Sequence, residues 1–243
     1  MNTLFLFDVD GTLTIPRNKI KPDIIDFLIL LSSQPNITLG IISGSDYEKI
    51  KEQLGENILN LFDYICTENG LVSYYKNRII HSNSIIKEIG DFKYNLLIND
   101  IFLLMSKINL PIKRGNFIEL RTGMINISPI GRSCTQQERD DFYQLDLQYQ
   151  YRKKLVDNLK INHPYLEFGI GGQISIDIYP IGWNKTYCLN IIDYNKYNIY
   201  FIGDRMEVGG NDYELSKCDK IIPIHVLNPN DMVSKIKHLL NYL

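Results

Sequence analysis

In the first third of the chain apolar residues arrive in short blocks: TLFLF, IIDFLILL, ITLGII and YIC, each closed by polar or turn-forming residues. TLFLFD reads as a buried strand and ITLGIISG as a second one. PDIIDFLILLSS, with Pro22 near its start, reads as a helix. SDYEKIKEQLG reads as another helix, with Ser45 as its N-cap and Gly55 as its stop. FDYICTENGLVSYY predicts a third strand followed by a hairpin. Strand–helix–strand order of this kind predicts a parallel sheet with crossover helices. The end of the chain returns to that pattern. NIYFIGD is a strand, GGNDYELSK starts a helix, and KIIPIHVL is a strand before a last helix.

The middle differs. A helical stretch near residues 95 to 108 is followed by FIELRTGMINISPIG and later by YLEFGIGGQISIDIYPIG, which both alternate apolar and polar positions. Alternation marks a half-buried antiparallel sheet. Between them TQQERDDFYQLDLQYQYRKKLVDNLK reads as a charged amphipathic helix pair. The expected organisation is an α/β core formed by residues 1–81 and 182–243, interrupted by an α+β insert over residues 82–181.

Composition narrows the function classes. Across 243 residues, 26 Lys plus Arg against 28 Asp plus Glu leave a net charge of −2, which argues against nucleic acid or an anionic membrane as partner. Cys66, Cys134, Cys188 and Cys218 are scattered and read as reduced residues of a cytoplasmic protein. The N-terminal apolar run is broken by Asp8 and Asp10, so it is neither a signal segment nor a membrane span.

Candidate chemistry lies where the strands stop. In a parallel sheet the strand C-terminal ends share one edge, where open α/β sheets bind ligands. Asp8 and Asp10 end the first strand, Ser43 ends the second and Asp204 ends the strand NIYFIGD; Lys185 precedes the helix leading into that strand. Any one of these fits a turn; together they do not. Crowded carboxylates are stabilised by a hard dication, and Mg²⁺ favours a few carboxylates with water and phosphate oxygens.

FDVDGTLT, with IISGS, GWNK and IGD, resembles the haloacid-dehalogenase-like phosphotransferases. More narrowly, RTGMINISPIGRSC, GGQISIDIYPIGWNKTYC and GDRMEVGGNDYEL resemble the eukaryotic-type phosphomannomutase family, along a stretch from about residue 4 to residue 215. The resemblance implies a parallel-sheet core with an inserted α+β cap, Asp8 as a nucleophile that becomes an aspartyl phosphate, and Asp10 as general acid/base. It implies Mg²⁺ held by Asp8, the Asp10 backbone and Asp204. The spacing suits these roles, because residues i and i+2 of an extended chain point the same way, about 6 to 7 Å apart. Asp8 can then attack phosphorus while Asp10 meets the sugar oxygen beyond it, with Lys185 and the cation offsetting the repulsion between carboxylate and phosphate.

The resemblance also implies substrate contacts from Arg17, Arg121, Arg132 and Arg139, and from Ser175 and Asp177. Arginine forks suit phosphate. In the family an acid and a threonine linked with a second, structural cation follow the equivalent of NDYEL. Here the stretch is SKCDKII, with Cys218 at the acid's place and Asp219 one position on.

The expected activity is interconversion of mannose 1-phosphate and mannose 6-phosphate through a hexose 1,6-bisphosphate, which also serves as activator, in support of GDP-mannose synthesis. A Mg²⁺-dependent sugar-phosphate phosphatase would use the same acids but admit water. A catalytically silent sensor is disfavoured by the presence of Asp8, Asp10, Lys185 and Asp204. The resemblance further implies a homodimer through the cap.

Overall fold

The structure is a computed structural model describing residues 2–240. It divides into two compact units, a core unit formed by the chain up to Ser82 and from Trp183 onward, and an insert, Asn83–Gly182. In chain order the elements are β1 (Asn2–Phe7), α1 (Pro22–Ser32), β2 (Ile37–Ile42), α2 (Tyr47–Leu54), α3 (Glu56–Leu59), β3 (Tyr64–Thr67), β4 (Val72–Tyr75) and β5 (Arg78–Ser82). The insert contributes α4 (Ile85–Lys107), β6 (Ile118–Leu120), β7 (Ile125–Ile127), α5 (Gln136–Tyr149), α6 (Tyr151–Asn162), β8 (Leu166–Gly171) and β9 (Ser175–Pro180). The core unit resumes with β10 (Tyr197–Gly203), α7 (Tyr213–Ser216), β11 (Ile221–His225) and α8 (Pro229–Leu240).

The core sheet has the order β11-β10-β1-β2-β3-β4-β5. Its first five members are parallel, and β4 and β5 add antiparallel strands at one edge. The continuous apolar character of β1 follows from its central place. Phe5 and Phe7 pack on one face with Ile24, Phe27 and Leu28 of α1, while Leu4 and Leu6 pack on the other with Cys188 and Ile192. A strand covered on both faces has no use for alternation. The chain leaves β1 toward β2 on one side and returns as β10 on the other, so the sheet's topological switch point lies between β1 and β10.

The insert's sheet is antiparallel, in the order β6-β7-β9-β8. The expected alternation is realised on β9, where Ile176 and Ile178 are buried and Ser175 and Asp177 only partly so, but not on β7, where Ile125, Asn126 and Ile127 are all buried. Helices α4 and α6 lie against this sheet, contributing buried Leu97, Ile101, Leu155 and Leu159. Thr135 and Glu138 close a reciprocal capping box at the start of α5.

Several local expectations are corrected. The cap of α2 is Asp46, not Ser45. The Asp46 carboxylate accepts from the Lys49 amide at 2.8 Å, while the Ser45 hydroxyl, one residue too early to reach it, accepts from the Lys49 ammonium at 2.9 Å. Helix α4 starts at Ile85, ahead of the expected stretch, and a φ of +79° at Gly90 interrupts its regular period. The helix expected in GGNDYELSK is the single turn α7, and Lys185 opens a six-residue 3₁₀ segment, Lys185–Asn190.

Candidate active site

The site grows from the switch point. Asp8 follows directly on β1, its amide donating to the carbonyl of Ile202 on β10 at 2.9 Å. Asp204 follows directly on β10. The two carboxylates therefore leave adjacent parallel strands at the same edge. Gly11 has a φ of +90°, and a Cβ there would collide with the Asp204 carboxylate, so the loop after Asp8 can close on that acid only with glycine. Ser43 sits at the end of β2, the next strand over, buried, with its hydroxyl accepting from the Ser45 amide at 3.1 Å. Its own O–H remains available to donate.

Lys185 is the pivot. It is buried, and its ammonium donates to Asp8 Oδ1 at 2.5 Å and to Asp212 Oδ1 at 2.6 Å. Burial alone would lower its pKa, but Asp8 and Asp212 outweigh that and raise it, so the lysine stays charged. Asp8 is pushed up to about 7 by burial and by the neighbouring Asp212 and Asp204, against the opposing pull of Lys185. Burial, with the nearby Asp212 charge, also raises Asp204.

Asp212 is a residue that the sequence reading passed over. Asp8, Asp204 and Asp212 bring ligand atoms within 4.8 Å of one another. Fully ionised, three carboxylates against one ammonium would carry a charge of −2 in a largely buried place, and Asp204 Oδ1 is buried with no hydrogen-bond partner. A hard dication fits that charge, that orphaned oxygen and that all-oxygen donor set.

Asp10 is held apart from this trio. Its carboxylate accepts from the Arg17 amide at 2.9 Å, from Gln53 Nε2 at 2.8 Å and from the Lys49 ammonium at 3.2 Å. Partial burial works to raise its pKa, but these three donors prevail and hold it below the usual carboxylate range. The i and i+4 positions on α2 thus aim Lys49 and Gln53 at one acid. Arg17 itself is exposed, in a left-handed conformation with φ 65°.

The other expected substrate residues lie in the insert. Arg121 and Arg132 share Glu119, at 3.1 and 2.9 Å, and Arg139 donates to the Arg132 carbonyl at 3.0 Å. Asp177 on β9 accepts from Asn126 at 2.6 Å, and Ser175 opens the same strand. Arg121, Arg132, Arg139 and Asp177 form one electrostatic group, since burial and the two flanking arginines depress the Arg132 pKa while Glu119 and Asp177 oppose that.

The family model described as eukaryotic phosphomannomutase matches residues 25–242. A relative from Dictyostelium discoideum, phosphomannomutase 1, is 47% identical over 242 residues, covering 98% of this chain and 96% of its own. Phosphomannomutase of Triticum aestivum is 44% identical over 238 residues, covering 97% and 94%. The chain belongs to the eukaryotic phosphomannomutase family. It is thereby an enzyme of the isomerase class.

Two solved structures show that the family's fold is shared more widely. A Plasmodium falciparum IMP-nucleotidase aligns at a TM-score of 0.63 and 17% identity over 99% of this chain and 68% of its own. A trehalose-6-phosphate phosphatase related protein aligns at 0.60 and 15% over 99% and 98%. At such identity these two carry the fold alone: a mostly parallel α/β core with an inserted α+β unit.

Proposed function

We propose that this phosphomannomutase family member interconverts α-D-mannose 1-phosphate and D-mannose 6-phosphate through phospho-Asp8 and a hexose 1,6-bisphosphate. The observation that carries the reading is Asp8 itself: a carboxylate at the switch point, fixed through Oδ1 to a buried lysine, in a chain aligned end to end with phosphomannomutases.

In this reading Lys185 binds one carboxylate oxygen and Asp8 Oδ2 attacks phosphorus, forming the acyl phosphate bond as the bond from phosphorus to the sugar oxygen breaks. Asp10, ionised at rest and protonated by the sugar hydroxyl in the preceding transfer, gives that oxygen its proton. In the reverse sense Asp10 takes the proton from a sugar hydroxyl as it attacks phospho-Asp8. Transfer to one hydroxyl gives the bisphosphate, and return of the other phosphate to Asp8 completes the isomerisation. Arg17, Arg121, Arg132 and Arg139 grip substrate, Ser175 and Asp177 meet its phosphate and hydroxyls, and Ser43 donates to the reacting phosphate. Asp8, Asp204 and the Asp10 backbone, with Asp212 beside them, would hold Mg²⁺, which supplies charge neutralisation at the phosphate oxygens. A hexose 1,6-bisphosphate activates by rephosphorylating Asp8 after loss to water. The mannose 1-phosphate formed supports GDP-mannose synthesis.

The four cysteines are all free, three of them buried, which suits the reducing cytoplasm. Among the described residues no helix is long and apolar enough to cross a membrane. A second copy of the chain is the proposed macromolecular partner, docking through the insert. There α4 exposes Phe92, Leu96, Phe102 and Leu103, and β6 leaves a sheet edge unpaired among the described strands. Sedimentation velocity should show twice the 28.3 kDa mass; a monomer at micromolar concentration would remove the dimer. The function is tested by incubating the protein with mannose 1-phosphate. The 6-phosphate should appear with Mg²⁺, cease with chelator and return on adding the ion. Conversion indifferent to chelation, or none at all, would overturn the reading.

A further inference from the structure

Strand register aligns three polar residues across the insert's sheet. Glu119 on β6 stands opposite Asn126 on β7, and Asn126 stands opposite Asp177 on β9. Directly opposed residues share a face, so the row is continuous. Asn126 is its middle member and is 3% exposed. Its side-chain oxygen accepts from Arg132 Nη1 at 2.6 Å, and its amide nitrogen donates to Asp177 Oδ1 at 2.6 Å.

The chemistry admits only this orientation. A guanidinium can only donate and an ionised carboxylate can only accept, so the oxygen must face Arg132 and the NH₂ must face Asp177. Aspartate at this position would set two carboxylates against each other, and an aliphatic residue would leave both neighbours to swing. The amide bridges a cation and an anion through separate acceptor and donor atoms while adding no charge. Both ends are charge-assisted, the stronger class of hydrogen bond.

We propose that Asn126 is a positioning residue. It holds Arg132, the phosphate grip, and Asp177, the hydroxyl grip, at one fixed separation, and so sets the distance at which the enzyme reads a phosphate against a sugar hydroxyl. The ligand class is a hexose phosphate, and the proposal rests on the substrate roles given to Arg132 and Asp177 above. Contact with substrate belongs to those two residues; Asn126 acts through them.

A mutant cycle tests this, with kcat/KM for mannose 1-phosphate, calorimetric affinity for the same compound and thermal midpoint measured on every variant. Asn126→Ala should lower kcat/KM and affinity by about 10- to 100-fold, the scale of a lost charge-assisted contact. In an Arg132→Ala/Asp177→Ala background the same change should cost less than about 3-fold, because there is nothing left to position. Asn126→Asp, which keeps the shape, should lose more than Asn126→Ala by repelling Asp177, with the thermal midpoint separating that loss from unfolding. An undiminished loss in the double-mutant background means that Asn126 only supports the fold, and unchanged kinetics in both single variants likewise overturn the proposal. If the unmutated protein binds mannose 1-phosphate in an Asn126-dependent way but does not turn it over, the mutase reading falls and this one stands. If it turns the sugar over regardless of Asn126, only this one falls. Absence of both binding and turnover overturns the two together.

Discussion

Asp8→Asn protein should fold normally and turn over nothing. The carboxamide is a poor nucleophile and cannot form the aspartyl phosphate, and loss of a nucleophile has cost another enzyme about 10⁶-fold in kcat. Folding should survive because the substitution removes one of three mutually repelling carboxylates, two of them buried. Lys185 also keeps Asp212 at 2.6 Å, so no buried charge is left without a partner. Circular dichroism and a thermal melt check the fold. Incubation with a labelled phosphoryl donor checks the covalent step, with label expected on the unmutated protein and none on Asp8→Asn. A variant that keeps even a few per cent of normal turnover, free of revertant protein, would remove Asp8 from its role.

Asp10→Asn should behave differently. General acid/base groups contribute roughly 10² to 10⁴ in rate, so transfer to and from sugar should slow by about that range. Phosphorylation of Asp8 by a donor with a good leaving group, which needs no protonation, should be affected least. Mg²⁺ affinity should persist, because the Asp10 carboxylate is committed to Gln53 at 2.8 Å and Lys49 at 3.2 Å, outside the trio of Asp8, Asp204 and Asp212. Asparagine can still accept from those donors, so the loop should keep its place. Collapse of Mg²⁺ affinity would instead make Asp10 a side-chain ligand.

Much of this architecture is legible in the sequence because burial leaves a pattern. The strand β1 is apolar throughout since both its faces are covered, and acids that end such runs stand out as costly unless used. That is how Asp8 and Asp204 can be picked out before any coordinates. Asp212 cannot, because Gly-Gly-Asn-Asp before an apolar residue has the composition of an ordinary helix start. Its role depends on Lys185 reaching it across 27 positions of sequence. Lys49 and Gln53 have the spacing of a solvated helix face, and only the docking of α2 beside the Asp10 loop turns them inward. Asn126 reads as an outward polar residue of an alternating strand; its partners are set by cross-strand register, which pairs it with Asp177, 51 residues later. Periodicity reports which side of an element is buried, whereas partners across a sheet come from topology.

Phospho-Asp8 is expected to pass its phosphate to a sugar and not to water. A mutase and a phosphatase share Asp8, Asp10, Lys185 and Asp204, so substitutions at these positions cannot separate them. The direct measurement follows mannose 1-phosphate with Mg²⁺ and records mannose 6-phosphate and inorganic phosphate from the same samples, with and without catalytic hexose 1,6-bisphosphate. Isomer should form far faster than phosphate, and the bisphosphate should raise the isomer rate by restoring enzyme that has lost its phosphoryl group. Phosphate appearing as fast as isomer, or a rate indifferent to the bisphosphate, would contradict the account and leave a phosphatase in its place.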